Sequence, residues 1–201
     1  YQFPMPIGAG ASFASAGGQN FFAICTVAAN NSSDTAYNWG FTLVPQAALT
    51  TEATVGWGPG SADGTGADAR FFGPEGIAID GGGNLYVANA QNATIRRITP
   101  EGVVSTIAGK PGVRGVVDGP RSSALFHSPV GIAVDASGQV YVSDSWNQTI
   151  RRIGTDGQVT TVAGATGQSG SADGTGSGAR FRLPSGIGVD AAGNVFVADF
   201  S

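Results

Sequence analysis

The sequence is poor in charged residues, and this scarcity excludes several classes of partner. Only 12% of the 201 residues are charged, and the formal net charge is −4 at pH 7. Proteins that bind nucleic acid or anionic membranes rely on clustered Lys and Arg side chains. The composition offers no such basic surface, so nucleic acid is not an expected partner.

Cysteine and histidine are nearly absent as well. The chain has one cysteine, Cys25, and one histidine, His127. One thiol cannot close an intrachain disulfide, and a zinc site needs at least three Cys, His or carboxylate ligands from the protein. The sequence also lacks Gly-x-Ser-x-Gly, His-Glu-x-x-His and phosphate-loop motifs. We therefore predict no metal site and no cofactor, apart from a weak calcium contact discussed below.

Long apolar runs are lacking too. No stretch approaches the roughly 20 uninterrupted apolar residues that a membrane-spanning helix needs. Low charge, a single thiol and many Gly, Ser, Thr and Asn residues suit a secreted or periplasmic bacterial protein. The chain begins with Tyr1 and shows no signal-like segment, so we expect that a leader has been removed or that the sequence is a fragment of a longer chain.

What the sequence does have is an internal repeat. Equivalent residues recur 55 positions apart, as three sets show: Asp63, Asp118 and Asp173; Pro74, Pro129 and Pro184; Asp80, Asp135 and Asp190. A fixed period of this size is typical of repeat architectures.

Each of the first two repeats contains four short runs of β-branched and aromatic residues. In the second copy these runs are 131–134, 140–143, 149–153 and 159–162. Asp and Gly between the first two runs, and again between the last two, have the composition of hairpin turns. No segment shows a sustained 3.6-residue apolar period, so the pattern predicts an all-β fold with four antiparallel strands per repeat.

The order of the motifs resembles that of the NHL repeat. Pro-x-Gly-Ile-x-Val/Ile-Asp is followed by Gly-x-Val/Leu-Tyr-Val-Ala/Ser-Asn/Asp, then Asn-x-Thr-Ile-Arg-Arg-Ile, then Gly-x-Val-x-Thr-x-Ala-Gly. The match extends over about residues 60–201, and the long linkers between motifs resemble those of bacterial secreted members of this family. The resemblance implies a β-propeller, in which four-stranded sheets stack around an axis.

The extent of this match divides the chain into two parts. Residues 58–201 form the predicted propeller, with blades at 74–109 and 129–164 and a half-blade at 184–201, and residues 1–57 are either a decayed blade or a separate β segment. Propellers normally close with 4 to 8 blades. We therefore expect completion by strands from residues 37–57, by homo-oligomerisation or by a longer polypeptide, and the sequence leaves these alternatives and the blade number open.

Loop residues near the end of the second strand are the predicted binding residues. Trp146 and Phe200 are aromatic side chains on such loops, and exposed aromatics often anchor a ligand or partner. Asn147 and Arg151 lie beside Trp146 in the sequence and are added to the predicted ligand contacts. Packing of Trp146 against a neighbouring blade is an equally good interpretation.

Three functions fit this pattern. The primary hypothesis is a non-catalytic extracytoplasmic module that binds a protein or carbohydrate through its loops. A second is a lyase or hydrolase of the propeller type, with His127 or carboxylates near the central channel as the weak catalytic candidates. A third is a structural unit in a larger assembly. The sequence does not identify the ligand.

Repeated polar residues are assigned structural roles. Hydrogen bonding within turns is predicted for Asp80, Asp135 and Asp190 in the first hairpin, and bonding to turn amides or to Arg96 and Arg151 for Asn89, Asp144 and Asp199. The linker motif Asp63-Gly64-Thr65-Gly66 lacks the spacing of a calcium loop, so turn formation is the main prediction and a weak Ca²⁺ contact the alternative. The linkers 110–128 and 165–183 are expected to project as loops or to fold through Asp-Gly turns.

Overall fold

The computed structural model describes residues 59–200 and, before them, the backbones of three strands. These strands form an antiparallel sheet in the order β1-β2-β3: β1 Ala11–Ala14, β2 Asn20–Ala28 and β3 Asn38–Pro45. The other predictions for residues 1–57, including a decayed blade, lie outside the described residues.

Each of the two complete repeats forms one antiparallel sheet of five strands. The first has the order β4-β8-β7-β6-β5, with β4 Gly64–Thr65, β5 Pro74–Ile79, β6 Leu85–Asn89, β7 Thr94–Ile98 and β8 Val103–Ala108. The second has the order β9-β13-β12-β11-β10, with β9 Gly119–Pro120, β10 Pro129–Val134, β11 Val140–Asp144, β12 Thr149–Ile153 and β13 Gln158–Gly164. In the third repeat β14 Pro184–Val189 pairs with β15 Val195–Asp199.

Both complete repeats contain the four predicted strands, and the linker, expected either to project or to fold through Asp-Gly turns, adds a short fifth strand to the sheet. Linker residues pair with the outermost strand of the repeat that follows them, Gly64 opposite Val104 and Pro120 opposite Gln158. An outermost strand otherwise presents unpaired backbone amide and carbonyl groups to solvent. The linker covers part of that edge, so it belongs to the blade.

The strand pairing gives each sheet two distinct ends. Pro129 pairs with Asp144, Asp144 with Thr149 and Thr149 with Gly164, so the linkers and the turns between second and third strands lie at one end. We call it the linker end. The opposite end, the hairpin end, carries the turns at 80–84, 99–102, 135–139 and 154–157.

Successive sheets stack through their first strands. Strand β10 lies against β5 on one side and β14 on the other. The approach is so close that a Cβ atom on Gly76 would lie 2.2 Å from the Val130 carbonyl oxygen, and one on Gly131 would lie 2.0 Å from that of Ser185. The glycine of the Pro-x-Gly-Ile motif is therefore needed for neighbouring strands to meet.

The core between the first two sheets is apolar. It joins Tyr86, Ala88 and Ile95 of the first sheet to Ile132 and Val142 of the second. Antiparallel sheets stacked face to face in this way, each from one repeat, form the blades of a β-propeller. The helices in the described part are single 3-10 turns, and none is long and apolar enough to cross a membrane.

Candidate functional site

A buried arginine ties each linker to its blade. Arg96, in the middle of β7, is fully buried. Its Nη1 donates to the Arg70 carbonyl oxygen at 2.8 Å, and its Nη2 donates to the Ala62 carbonyl oxygen at 2.8 Å and to Asp63 Oδ1 at 2.7 Å. The guanidinium also lies 4.8 Å from the centre of the Phe71 ring, within cation-π range. The charge of Arg96 is thus matched entirely by groups from the linker.

Asp63 extends this contact to the outermost long strand of the sheet. Its carboxylate accepts from the Thr106 amide at 3.0 Å and from the Thr106 hydroxyl at 2.9 Å. Sequence reasoning treated this aspartate as a turn former and missed its bond to Arg96. The sequence does contain an indication of this bond, because Asp63 and Arg96 both recur 55 residues later, as Asp118 and Arg151.

The second repeat copies this arrangement and adds a carboxylate. Arg151 is fully buried, donates to Asp118 Oδ1 at 2.6 Å and lies 4.9 Å from the centre of the Phe126 ring. It also donates to Asp144 Oδ2 at 3.0 Å. The first repeat has the neutral Asn89 at the position of Asp144, so only the second arginine is held by two acids.

Asp144 also accepts hydrogen bonds from residues at the linker end. Its Oδ1 accepts from the backbone amide of His127 at 2.7 Å, while Oδ2 also accepts from Asn147 Nδ2 at 2.7 Å. Burial raises the pKa of Asp144 to about 6, although the bonds from Asn147, His127 and Arg151 oppose the rise. The carboxylate is therefore ionised at pH 7 and fixes the backbone before β10.

Asn147 and Arg151, expected from the sequence to contact a ligand, are turned inward. Asn147 is 4% exposed, and its Nδ2 donates to the Gly115 carbonyl oxygen at 2.8 Å as well as to Asp144. Arg151 is enclosed by the linker as described above. This corrects their predicted role, because the linker covers the sheet face toward which both side chains point.

Trp146, between them in the sequence, projects outward. It is 62% exposed, and its indole stacks on the His127 imidazole with ring centroids 5.4 Å apart and an interplanar angle of 29°. The Trp146 amide donates to the His127 carbonyl oxygen at 3.2 Å, which holds the two backbones together. The pair forms a flat, partly apolar platform at the linker end.

The surroundings of His127 favour the neutral form of its imidazole. Partial burial and the nearby positive charge of Arg114 lower the pKa of His127 below its ordinary value. Arg114 is exposed, and its Nη2 lies 3.5 Å from Gln91 Oε1. The platform thus has a cation, Arg114, near its His127 side.

The third repeat extends the exposed apolar surface. Phe200 is 74% exposed, Leu183 is 42% exposed, and the Phe200 amide donates to the Leu183 carbonyl oxygen at 3.2 Å. The Ser145 hydroxyl donates to the Pro184 carbonyl oxygen, so the residue before Trp146 touches the residue after Leu183. We call His127, Trp146, Leu183 and Phe200 together the linker-end surface.

The aspartates of the first hairpins lie at the opposite end. Asp80 Oδ1 accepts from the amides of Gly82 and Asn84 at 2.9 Å each, and Oδ2 accepts from the Tyr86 hydroxyl at 3.0 Å. Partial burial would raise the pKa of Asp80, but these hydrogen bonds outweigh it and lower the pKa. The aspartates of the next two hairpins accept equivalent amide bonds, as Asp135 and Asp190.

The metal-binding side chains in the described part do not cluster. Within residues 59–200, no group of three or more His, Cys, Asp and Glu side chains is arranged to hold an ion. Asp63, the residue considered for calcium, uses both carboxylate oxygens on Arg96 and Thr106.

Comparison with known sequences identifies the repeat. Residues 126–153 match the family model of the NHL repeat. The chain is 31% identical over 141 residues to Protein SUPPRESSOR OF QUENCHING 1, chloroplastic, of Arabidopsis thaliana, and 32% identical over 95 residues to NHL repeat-containing protein 2 of Bos taurus. These alignments cover 64% and 46% of this chain but only 13% of either relative.

Solved structures share the fold. A structural genomics protein of unknown function from Bacteroides thetaiotaomicron superposes with a TM-score of 0.61 at 24% identity, over 90% of this chain and 42% of the other. An auxiliary nutrient binding protein from the same organism superposes with a TM-score of 0.60 at 19% identity, over 92% of this chain and 43% of the other. At these identities the likeness concerns the fold.

Proposed function

Because the chain belongs to the NHL-repeat family and has a β-propeller fold, we propose that it is a non-catalytic module that binds carbohydrate at its linker end. The observation that carries the proposal is Trp146, which is 62% exposed although its neighbours in the sequence are buried. Leaving an indole in water forgoes the free energy of burying it, about 2 to 3 kcal/mol for a large apolar side chain. A ligand that covers the indole would recover that free energy.

The platform suits a sugar ring better than a charged protein surface. A sugar presents a flat apolar face to an aromatic ring and hydroxyl groups at its rim. Trp146 and the neutral His127 supply the aromatic surface, and Arg114, which lies near His127, supplies hydrogen-bond donors. The backbones of His127 and Trp146 are already held together by a hydrogen bond, so little conformational entropy is lost on binding.

The proposal assigns His127 to this platform rather than to catalysis. Its imidazole stacks on Trp146, and Asp144, the acid that contacts His127, bonds to the backbone amide of His127, to Asn147 and to Arg151. A general base is normally oriented by an acid that bonds to its ring. Asp144 acts here on the backbone instead.

An extracytoplasmic bacterial location is part of the proposal. It is supported by the composition, in which charged residues are few and Cys25 is the single thiol. The fold neighbour described as an auxiliary nutrient binding protein is compatible with a carbohydrate ligand, but the proposal rests on Trp146.

An array of immobilised bacterial and plant polysaccharides tests the proposal. We expect the chain to be retained on at least one polysaccharide, and Trp146→Ala to weaken that binding at least tenfold because the stacking surface is gone. Val103→Ala removes an apolar side chain that is 43% exposed on β8, and it serves as the control with unchanged binding. Retention on no polysaccharide, or equal binding by Trp146→Ala, would refute carbohydrate binding at this surface.

A further inference from the structure

The two ends of the blades differ in charge. Every hairpin turn of the described repeats contains one carboxylate and neither Lys nor Arg. These carboxylates belong to Asp80, Glu101, Asp135, Asp156 and Asp190. The linker end, in contrast, carries the exposed side chains of Arg114 and Arg182. The field of the protein therefore repels an anion from the hairpin end and favours the linker end.

Arg114 is held beside the aromatic platform by the second linker. It forms a parallel bridge with Phe126, the residue before His127, and the Gly115 amide donates to the Phe126 carbonyl oxygen at 3.0 Å. Asn147 Nδ2 donates to the Gly115 carbonyl oxygen at 2.8 Å, so the residue after Arg114 contacts the residue after Trp146. The backbone of Arg114 is thus fixed next to both segments that form the platform.

The guanidinium of Arg114 has donors to spare. Within residues 59–200, its one side-chain hydrogen bond is the 3.5 Å contact with Gln91 Oε1, which is longer than an ordinary N–H···O bond, and it forms no ion pair. Its charge adds to partial burial in lowering the pKa of His127, so the guanidinium lies within electrostatic reach of the platform.

A second cation approaches the platform from the third repeat. Arg182 takes the place that His127 has in the second repeat. Its exposed side chain makes no hydrogen bond or ion pair with the part of the chain that the structure describes. Two residues further on, the Pro184 carbonyl oxygen accepts from the Ser145 hydroxyl, so this linker meets the turn that carries Trp146.

The acids at the ends of these strands leave both guanidinium groups without a carboxylate partner. Asp144 is buried and pairs with Arg151 at 3.0 Å. Asp199 accepts from two backbone amides, at 3.0 Å and 2.9 Å. Glu75 follows the first residue of β5 in the first blade, and its partial burial raises its pKa. A ligand that covers the platform must itself supply the anion.

We propose that the ligand of the linker-end surface is an acidic polysaccharide, whose sugar rings carry carboxylate or sulfate groups. The inference rests on the proposed function, because the sugar ring lies on Trp146. The anionic group of that sugar binds the guanidinium of Arg114, and the anionic group of a neighbouring sugar binds Arg182. A guanidinium can bond two oxygens of one anion at once. A neutral sugar would remove water from these cations and give no charge in return.

Paired polysaccharides test this preference. The chain is applied to immobilised polygalacturonate, alginate and hyaluronate and to the carboxyl-reduced form of each, and to dextran sulfate and dextran. We expect at least one acidic polymer to bind about tenfold more tightly than its neutral form, since a charge-assisted bond is lost on neutralisation. The carboxylated and the sulfated pairs show which anion is recognised. Polyglutamate, which has carboxylates but no sugar rings, should not be retained.

The outcomes separate this inference from the proposed function. Equal retention of acidic and neutral forms, or retention of neutral polymers alone, would overturn the preference for acidic sugars and leave carbohydrate binding standing. Retention of none of these polymers, or of polyglutamate as strongly as of the acidic polysaccharides, would overturn the acidic ligand. Retention of no polysaccharide of any kind would refute the proposed function itself.

Three substitutions that each remove one positive charge assign the effect to the linker end. Arg114→Gln should weaken binding of the acidic polymer about tenfold and leave binding of its neutral form unchanged. Arg182→Gln should weaken binding of the acidic polymer several-fold. The control is Arg121→Gln, because the Arg121 amide donates to the Gly157 carbonyl oxygen at 2.9 Å, in a hairpin turn at the other end. No effect of Arg114→Gln, or an equal effect of Arg121→Gln, would contradict the proposal.

Discussion

The first and second blades have the same strands and the same buried arginine, but they neutralise it differently. Arg96 has one carboxylate, Asp63, whereas Arg151 has two, Asp118 and Asp144. At the position of Asp144 the first blade has Asn89, which accepts from the Phe72 amide at 2.9 Å. The residue at this position therefore accepts a hydrogen bond from a backbone amide in all the repeats. Only in the second repeat does it also bind the buried arginine.

This difference shows which features of a repeat are structural and which are free to vary. The arginine, its linker aspartate and the aromatic ring beneath it recur, because the blade depends on them to hold its linker. The position of His127 is Phe72 in the first repeat and Arg182 in the third. Side chains that project from the linker end differ among repeats, and we assign binding to that variable set.

The largest expected effect comes from removing the linker aspartates one at a time. Asp63→Ala leaves the buried Arg96 without a carboxylate, and we expect the free energy of unfolding to fall by about 3 kcal/mol, the lower end for breaking a buried pair since Asp63 is half exposed. Asp118→Ala should cost only about 1 kcal/mol, because Asp144 still pairs with Arg151. Urea unfolding at pH 7.5 measures both. Equal losses would contradict the proposed difference between the blades.

A smaller effect is expected from pH. The pKa of Asp144 is about 6 in the folded chain and about 3.9 when unfolded. Between pH 4 and 6 the unfolded chain releases this proton first, so the Asp144 contribution to stability decreases as pH rises, by on the order of 2 kcal/mol.

Asp144→Asn places in the second blade the amide side chain that the first blade has at this position. It should abolish the pH-dependent contribution of Asp144 to stability. The free energy of unfolding of the parent chain, minus that of the variant, should therefore be larger at pH 4 than at pH 7.5. Other titrating groups, such as Asp80 with its lowered pKa, are shared by both proteins and cancel in the difference. A difference that is constant with pH would show that Asp144 does not titrate in this range.

Much of the scaffold could be predicted from the sequence because its determinants are local. Short runs of β-branched and aromatic residues predicted the four long strands, and Asp80 marked a hairpin because its side chain bonds to amides two and four residues away. The 55-residue period then related the copies. These interactions need no knowledge of distant parts of the chain.

The linkers and the linker end could not be predicted in the same way. The bond between Asp63 and Arg96 spans 33 residues, and strand alternation alone does not tell which sheet face a linker covers. For this reason Arg151 was interpreted as a ligand contact although it is enclosed. Trp146 and Asn147 are adjacent in the sequence, yet one is exposed and the other buried, because a 3-10 turn rotates successive side chains apart.

The measurement that tests the functional claim most directly is backbone hydrogen exchange, with and without a saturating amount of a polysaccharide retained on the array. Binding at the linker-end surface should slow exchange at residues 126–128 and 145–148 and leave the hairpin turns 80–84 and 135–139 unchanged. Slower exchange at those hairpin turns, with none around Trp146, would place the ligand at the other end of the blades and contradict the account.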